Sequence, residues 1–357
     1  MDVLPTVWFI AVAALWIGYL ILEGFDLGVG MHMLVSARGS AAEREGQRRV
    51  MLNTIGPVWD GNEVWLLVAG AGIFAAFPLW YASLFSALYI PLTLVLVGLI
   101  FRAVAIEYRG KHPGARWGRF WDWAIGLGSF VVAFGIGAGL ALTTTGLPID
   151  ANGDRVGGPF AWLTWQAVLG GLAVVGFALV HSAAFLALKT TGPVRERMGA
   201  FVTKAAPVAL LPIVAWVLLI QFTTGNVASW LLVVGAVVAI VLGYVAALRR
   251  REGRAFLGIA VFVALGAAAI FTAVYPVVLP SSLDPAFSLT VSREMAATGA
   301  AVYAGNSDYT LGVMTVVTAV ALPVVLVYQV WSYWVFRKRL GAENLPAVHD
   351  IVPAVRG

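Results

Sequence analysis

The chain has 357 residues, 61% of them hydrophobic and only 11% charged, with a mean hydropathy of +0.89 and a net charge of +5. So little polar surface excludes a water-soluble domain and gives a polytopic membrane protein, and basic residues clustered between apolar runs are those of membrane loops rather than of a nucleic-acid surface. With no cysteine, disulfides, thiolate-bound zinc, iron–sulfur clusters and cysteine catalysis are excluded as well.

A membrane span takes about 20 mainly apolar residues, and nine segments qualify. The first, 7–34, has no Lys or Arg ahead of it, so it reads as a mature helix and not as a signal peptide. It contains YLILEGFDLGVGMHML, in which Glu23 and Asp26 stand three apart and share a helical face. Counted from its inner end, Asp26 lies about 12 Å deep at 1.5 Å per residue.

The second, 51–77, carries GPVWDGNEVWLL with Asp60 and Glu63, and the same rise puts Asp60 about 13 Å deep. Two acid pairs are thus expected at similar depth on adjacent antiparallel helices. Each acid facing lipid costs at least about 2.5–3.5 kcal/mol, so all four are expected to face protein or water. Gly24, Gly28 and Gly30 thin the first helix and Gly61 the second, which predicts close approach of the two backbones. The chemical reading is a proton relay reached from the cytoplasm. The plain alternative is that the acids hydrogen-bond Trp59, Trp65, Asn62 or backbone, or pair with Arg102. A cation site ranks lower, since hard cations want an oxygen cage and no carbonyl-rich break is evident.

Next come 79–106 and 120–142, where Asp122 near an inner helix start reads as an acid complementing the helix dipole. Segments 160–188, 205–222, 228–248 and 255–279 follow, then a mixed outer stretch, 280–309, a ninth span, 310–336, and a basic tail, 337–357. Of the four histidines, His32 and His181 lie on helices and are formal haem-ligand candidates; His112 and His349 do not. Near helix ends such lone histidines more often serve packing. No phosphate-binding Walker sequence occurs, so ATP is not used.

Lys and Arg set the orientation. With the N-terminus outside, 21 of the 23 basic residues fall in inner loops or the tail, Arg102 counted among them, and only Arg155 and Arg293 fall outside. Helices 1–4 (about 7–142) and 5–8 (about 160–279) share a rhythm of basic inner loop and short outer turn. Both sets begin outside. The expected architecture is therefore all-α and a single integral membrane domain: two four-helix bundles in parallel pseudo-repeat plus one extra helix, with the C-terminus cytoplasmic.

EGFDLGVG and PVWDGNEVWL resemble subunit II of the cytochrome bd quinol oxidases, including their cyanide-insensitive branch. IFRAVAIEYR, RFWDWAIGLGSF, YPVVLPSSLDPAFSLT and TLGVMT fit the same family. The resemblance implies a bacterial respiratory oxidase of the cytoplasmic membrane that oxidises quinol and reduces dioxygen to water. It implies two b-type haems and one haem d on the partner, cytochrome bd subunit I, and none ligated by this chain. Subunit II then stabilises subunit I, contributes a cytoplasmic proton path, meets small accessory transmembrane subunits in some members, and in some holds a structural quinone. The family's proton-path acid maps to Asp60 and its helix 1 acid to Asp26. Relatives carry Gln at the position of Glu63 and Asp at that of Glu23, so these two are secondary. A function of another class, a cation/proton antiporter using the same acids, competes with the oxidase reading.

The charge distribution makes a topological prediction. In Glu252→Cys on this cysteine-free chain, an impermeant thiol reagent should label only after the cells are opened; labelling in intact cells would reverse the orientation.

Overall fold

The fold is described from a computed structural model covering residues 3–112 and 114–345; the end of the basic tail, with His349 and Arg356, lies outside the described residues. Helix α1 (Val3–Val35) forms the centre. Every residue from Glu23 to Met33 is buried, because α3, α6, α7 and α11 pack around this half of the helix. Its glycines set those contacts. A Cβ on Gly28 would meet the Ala178 carbonyl oxygen at 2.0 Å, and one on Gly30 the Ser129 hydroxyl at 2.2 Å. They therefore seat α7 and α6, not the second span as the sequence suggested. Toward α3 the thin position is Gly18, which lies under the Trp65 ring, while Gly61 turns to Gln329.

The second expected span is two helices. Helix α2 (Ala41–Ile55) is polar and opens with a reciprocal cap between Ser40 and Glu43. The chain breaks at Gly56–Pro57 and restarts as α3 (Trp59–Ala76). Pro57 lacks an N–H and disfavours helix in the residue before it, so the break falls there. Met51 thus belongs to α2, and Asp60 is the second residue of α3 rather than a site 13 Å inside one continuous helix. Ion pairs hold α2 down: Arg48 and Arg109 both meet Asp122, at 3.2 and 2.6 Å, and Arg109 also grips Glu45. Asp122 is buried and shared by two guanidinium groups, a stronger role than complementing a helix end.

The third span is likewise broken, into α4 (Pro78–Ala87) and α5 (Tyr89–Tyr108). Arg102, assigned to a loop from sequence, is fully buried inside α5. Helix α6 (Ala115–Thr145) and helix α7 (Trp165–Lys189) follow; the latter starts five residues later than expected because Thr164 caps it. Helix α8 (Gly192–Ala209) runs into α9 (Leu211–Thr224) through a break at Leu210, beside Pro207 and Pro212. An antiparallel pair, α10 (Val227–Leu248) and α11 (Glu252–Val274), completes this half.

The outer stretch departs from an all-helical reading. Three short strands, β1 (Val277–Leu279), β2 (Leu289–Thr290) and β3 (Val302–Tyr303), form a sheet in that order. β1 and β2 are antiparallel, β2 and β3 parallel, and the short helix α12 (Arg293–Ala297) lies between the last two strands. Val277–Leu279, expected as the end of a span, is therefore sheet.

Helix α13 (Asp308–Val335) is last. Apart from Leu311 none of its residues is fully buried, yet polar bonds fasten it at three heights. Trp8 Nε1 donates to Leu311 O and Thr315 Oγ1, at 3.1 and 3.0 Å. Gln329 and Tyr333 donate to Asn62. Lys189 Nζ donates to the carbonyls of Phe336 and Lys338. Eight helices are long and apolar enough to cross a membrane among the described residues; α3, with 18 residues, is the shortest of the long internal helices that pack against α1.

The close approach at Gly28 gives a stability test. Gly28→Val should abolish accumulation of folded protein on detergent size exclusion, because Ala178 O is backbone and cannot yield. Gly46→Ala on exposed α2, where a Cβ meets nothing within 4 Å, should be neutral or stabilise by up to about 1 kcal/mol.

Candidate functional site

The membrane interior holds a connected polar cluster where α1, α3, α5 and α13 meet. α1 supplies Glu23 and Asp26, three residues apart and both wholly buried. α3 supplies Asn62 and Glu63, and α5 supplies Arg102. The guanidinium sits between two acids, with Nη1 at 2.8 Å from Glu23 Oε1 and 3.2 Å from Glu63 Oε2. Asn62 Nδ2 donates to Asp26 Oδ2 at 2.7 Å. Its Oδ1 accepts from Tyr333 at 2.8 Å and Gln329 at 3.1 Å.

Three of the four acids singled out from sequence therefore gather: Glu23, Asp26 and Glu63. Asp60 stands apart. It is exposed at the start of α3, in a groove of about 370 Å³ between α3 and α13 lined also by Pro57, Gly61, Trp65, Tyr328 and Ser332. As a first-turn acid it complements the α3 dipole, and it shares a face with Glu63 one turn on. Asn62, offered from sequence as a hydrogen-bond partner of the acids, binds Asp26.

Charge balance defines what this cluster can do. Three carboxyls share one guanidinium, so with all of them ionised the buried group carries an excess of two negative charges. Uncompensated charge in a low-dielectric interior is expensive, and binding two protons removes it. Glu23 Oε2, Asp26 Oδ1, the Tyr19 hydroxyl and Arg102 Nη2 keep unused hydrogen-bonding capacity among the described residues. That set of donors and acceptors suits ordered water as proton carrier.

The pairing of the acids with Arg102, offered from sequence only as the plain alternative, is present; Gln329 and Tyr333 were missed as members. Arg102 carried a signal, being a cation inside an otherwise apolar stretch. The other two carried none, since Gln and Tyr near a span end are ordinary interfacial residues.

His32 and His181 are wholly buried and serve packing between α1 and α7. Nε2 of His32 bonds Leu179 O at 2.9 Å, with Nδ1 at 2.8 Å from the Ser36 hydroxyl. His181 reciprocates, its Nε2 bonding Ile21 O at 3.0 Å while its ring lies between Phe177 and Phe256. A second cavity, about 620 Å³ and mostly apolar, lies among α1, α3, α4, α5 and α6. Trp80 lines it, and the buried Trp80 Nε1–H has no acceptor among the described residues.

Known proteins resemble this chain throughout. The family model described as cytochrome bd terminal oxidase subunit II matches residues 4–336. Cytochrome bd ubiquinol oxidase subunit 2 of Bacillus subtilis is 36% identical over 350 residues, covering 96% of this chain and 99% of the relative. Cytochrome bd-I ubiquinol oxidase subunit 2 of Escherichia coli K12 is 32% identical over 383 residues, covering 96% and 97%. A chain in the structure of bd oxidase from Geobacillus thermodenitrificans aligns over 93% of this chain and 97% of its own length with a TM-score of 0.64. Its sequence identity is 18%, which speaks for the fold alone. By its motifs, its helices and these relatives, the chain belongs to the cytochrome bd terminal oxidase subunit II family.

Proposed function

We propose that this chain is the second subunit of a quinol oxidase of the bacterial cytoplasmic membrane, and that it carries protons from the cytoplasm toward the site of dioxygen reduction. The carrying observation is the proton-accepting cluster of Glu23, Asp26 and Glu63 around Arg102, with Asp60 open at one side. Quinol oxidation supplies electrons, and haems on subunit I reduce dioxygen to water; this chain binds, stores and passes the protons. Asp60 collects a proton at the break between α2 and α3. Glu63, one turn away and partly exposed, receives it and hands it to the interior acids beside Arg102. An antiporter finds no support, because Arg102 occupies the centre of the acid cluster, where a transported cation would sit.

Nine spans with the N-terminus outside complete the reading. α3 adds the ninth to the eight apolar helices, and the chain is one membrane domain. The parallel pseudo-repeat gains support from two pairs of matched features. Spans 2 and 6 are each a helix broken at a proline-flanked joint, α2–α3 and α8–α9. Spans 3–4 and 7–8 each touch through facing glycines, Gly98 with Gly128 and Gly243 with Gly258.

Subunit I covers the sparsely packed α13 and the Asp60 groove. An exposed carboxylate at a membrane helix needs such a cover. Small accessory transmembrane subunits find room on the exposed flank of α10. The apolar cavity fits a structural quinone: its walls suit the isoprenoid chain, and Trp80 Nε1–H offers a quinone carbonyl its donor. The chain itself ligates no haem, since both His32 nitrogens are engaged and His181 is sandwiched by phenylalanines.

Asp60→Asn should give an assembled, haem-loaded complex with quinol oxidation slowed at least about tenfold, or about 1.4 kcal/mol on the barrier. Asp60→Glu should recover part of the loss, and Glu63→Gln should do less harm. Arg102→Met should prevent assembly, since it strands a buried carboxylate at about 3–5 kcal/mol. Full turnover in Asp60→Asn would remove Asp60 from the path.

The histidines give a spectroscopic check. His32→Ala and His181→Ala should leave all b-type and d-type absorption bands in whatever complex assembles. Selective loss of one band from an intact complex would make that histidine a ligand.

A further inference from the structure

At the Arg-rich end of the spans a polar cavity of about 390 Å³ opens between α7, α8, α10 and α11. Small residues make the space. Ala184, Gly192, Gly199 and Ala200 line it, and a Cβ added at Gly192 or Gly199 would meet nothing within 4 Å. Its volume falls in the usual range for small-molecule sites, about 300–1,000 Å³.

The cationic wall is built at a backbone cost. Helix α10 ends in a doubly bonded turn, with Arg250 N donating to Ala247 O at 3.0 Å and Arg251 N to Ala246 O at 2.9 Å. That closure wants a left-handed residue at its next-to-last position, normally glycine. Here it is Arg250, with φ 54°, the one non-glycine residue of positive φ among those described. Glycine adopts this conformation freely and arginine does not. The strained position thus keeps a side chain, and that side chain lines the cavity.

The surrounding charge is in excess. Of the lining acids, Glu252 is already matched by Arg195, at 2.6 and 2.9 Å, and by Arg339 at 3.6 Å; Glu196 is exposed at the rim. Arg249, Arg250, Arg251 and Arg254 have no acid within ion-pair distance among the described residues. Lys204 stands one helical turn from Ala200. The start of α11 forms part of the wall without a side-chain cap, so its positive dipole end is available. Val208, Leu248 and Leu257 leave apolar surface exposed alongside.

The geometry points to a binding site for a phosphate group, that of an anionic phospholipid, held by Arg250 with its headgroup in this cavity and its acyl chains along the exposed flank. Guanidinium groups match phosphate oxygens with paired donors, and basic niches between membrane helices take acidic headgroups in this way. The neighbouring apolar surface favours lipid over free phosphate.

The test uses the whole complex, purified in detergent with its partner subunit and stripped of lipid. Phosphatidylglycerol, phosphatidylcholine or inorganic phosphate is then added, with thermal unfolding and native mass spectrometry as readouts. Phosphatidylglycerol should raise the unfolding temperature and be retained as a bound lipid; the other two should not. Arg250→Gly relieves the backbone strain, so the lipid-free complex should be at least as stable as the parent while phosphatidylglycerol binds about fivefold more weakly. Lys204→Gln should weaken binding less. Equal lipid binding by Arg250→Gly and the parent overturns the site. Full replacement by inorganic phosphate or phosphatidylcholine overturns the assignment to an anionic lipid.

Discussion

The interior of this protein is organised by one cation. Arg102 reaches from α5 to Glu23 on α1 and Glu63 on α3, so a single buried guanidinium joins three spans. An ion of this kind is tolerated only with partners in place, and this fixes the relative height of the helices. Once Glu23 is fixed, Asp26 comes to the same level one turn away, where Asn62 finds it. Asn62 in turn gives α13 its central attachment. Packing of small residues sets how closely the helices approach; the buried polar groups set their register.

Two modes of cohesion are thus divided between parts of the chain. α1, α6 and α7 meet through glycines and small side chains, so their contact is dense and apolar. α13 has little such contact and is fastened by donors from Trp8, Lys189, Gln329 and Tyr333. A helix fastened by polar bonds leaves its apolar surface free for another subunit, which suits a chain whose family works in a complex. The reciprocal bonds of His32 and His181 add a polar tie to the apolar contact of α1 with α7: each ring reaches over to a carbonyl of the opposite helix and fixes how the two face each other.

Much of the architecture was legible in sequence because lipid imposes a long apolar run on every span, and such runs are hard to mistake. Where reading failed, the cause was local. Apolar residues continue through Pro57 and Leu88, so hydropathy did not show helix breaks that follow from backbone constraints. Short strands near Val277 were hidden for the same reason. Of the site, the acids and Arg102 as their partner were visible because charges are rare in such runs, and nearness to a basic loop hid only that Arg102 lies inside a helix. Partners such as Tyr333 are separated from Asn62 by most of the chain, and single-sequence periodicity holds no information about contacts of that span.

That separation has a consequence for the order in which the protein is made. Asn62 is synthesised and placed early, but Gln329 and Tyr333 lie 267 and 271 residues later. Until the final helix arrives, a buried amide oxygen lacks the two donors it meets in the finished fold. The polar centre is therefore completed only when the last helix, α13, packs against α3. Completion of the chain and closure of the polar centre become the same event, so a chain that stops before α13 keeps an amide oxygen without these two donors.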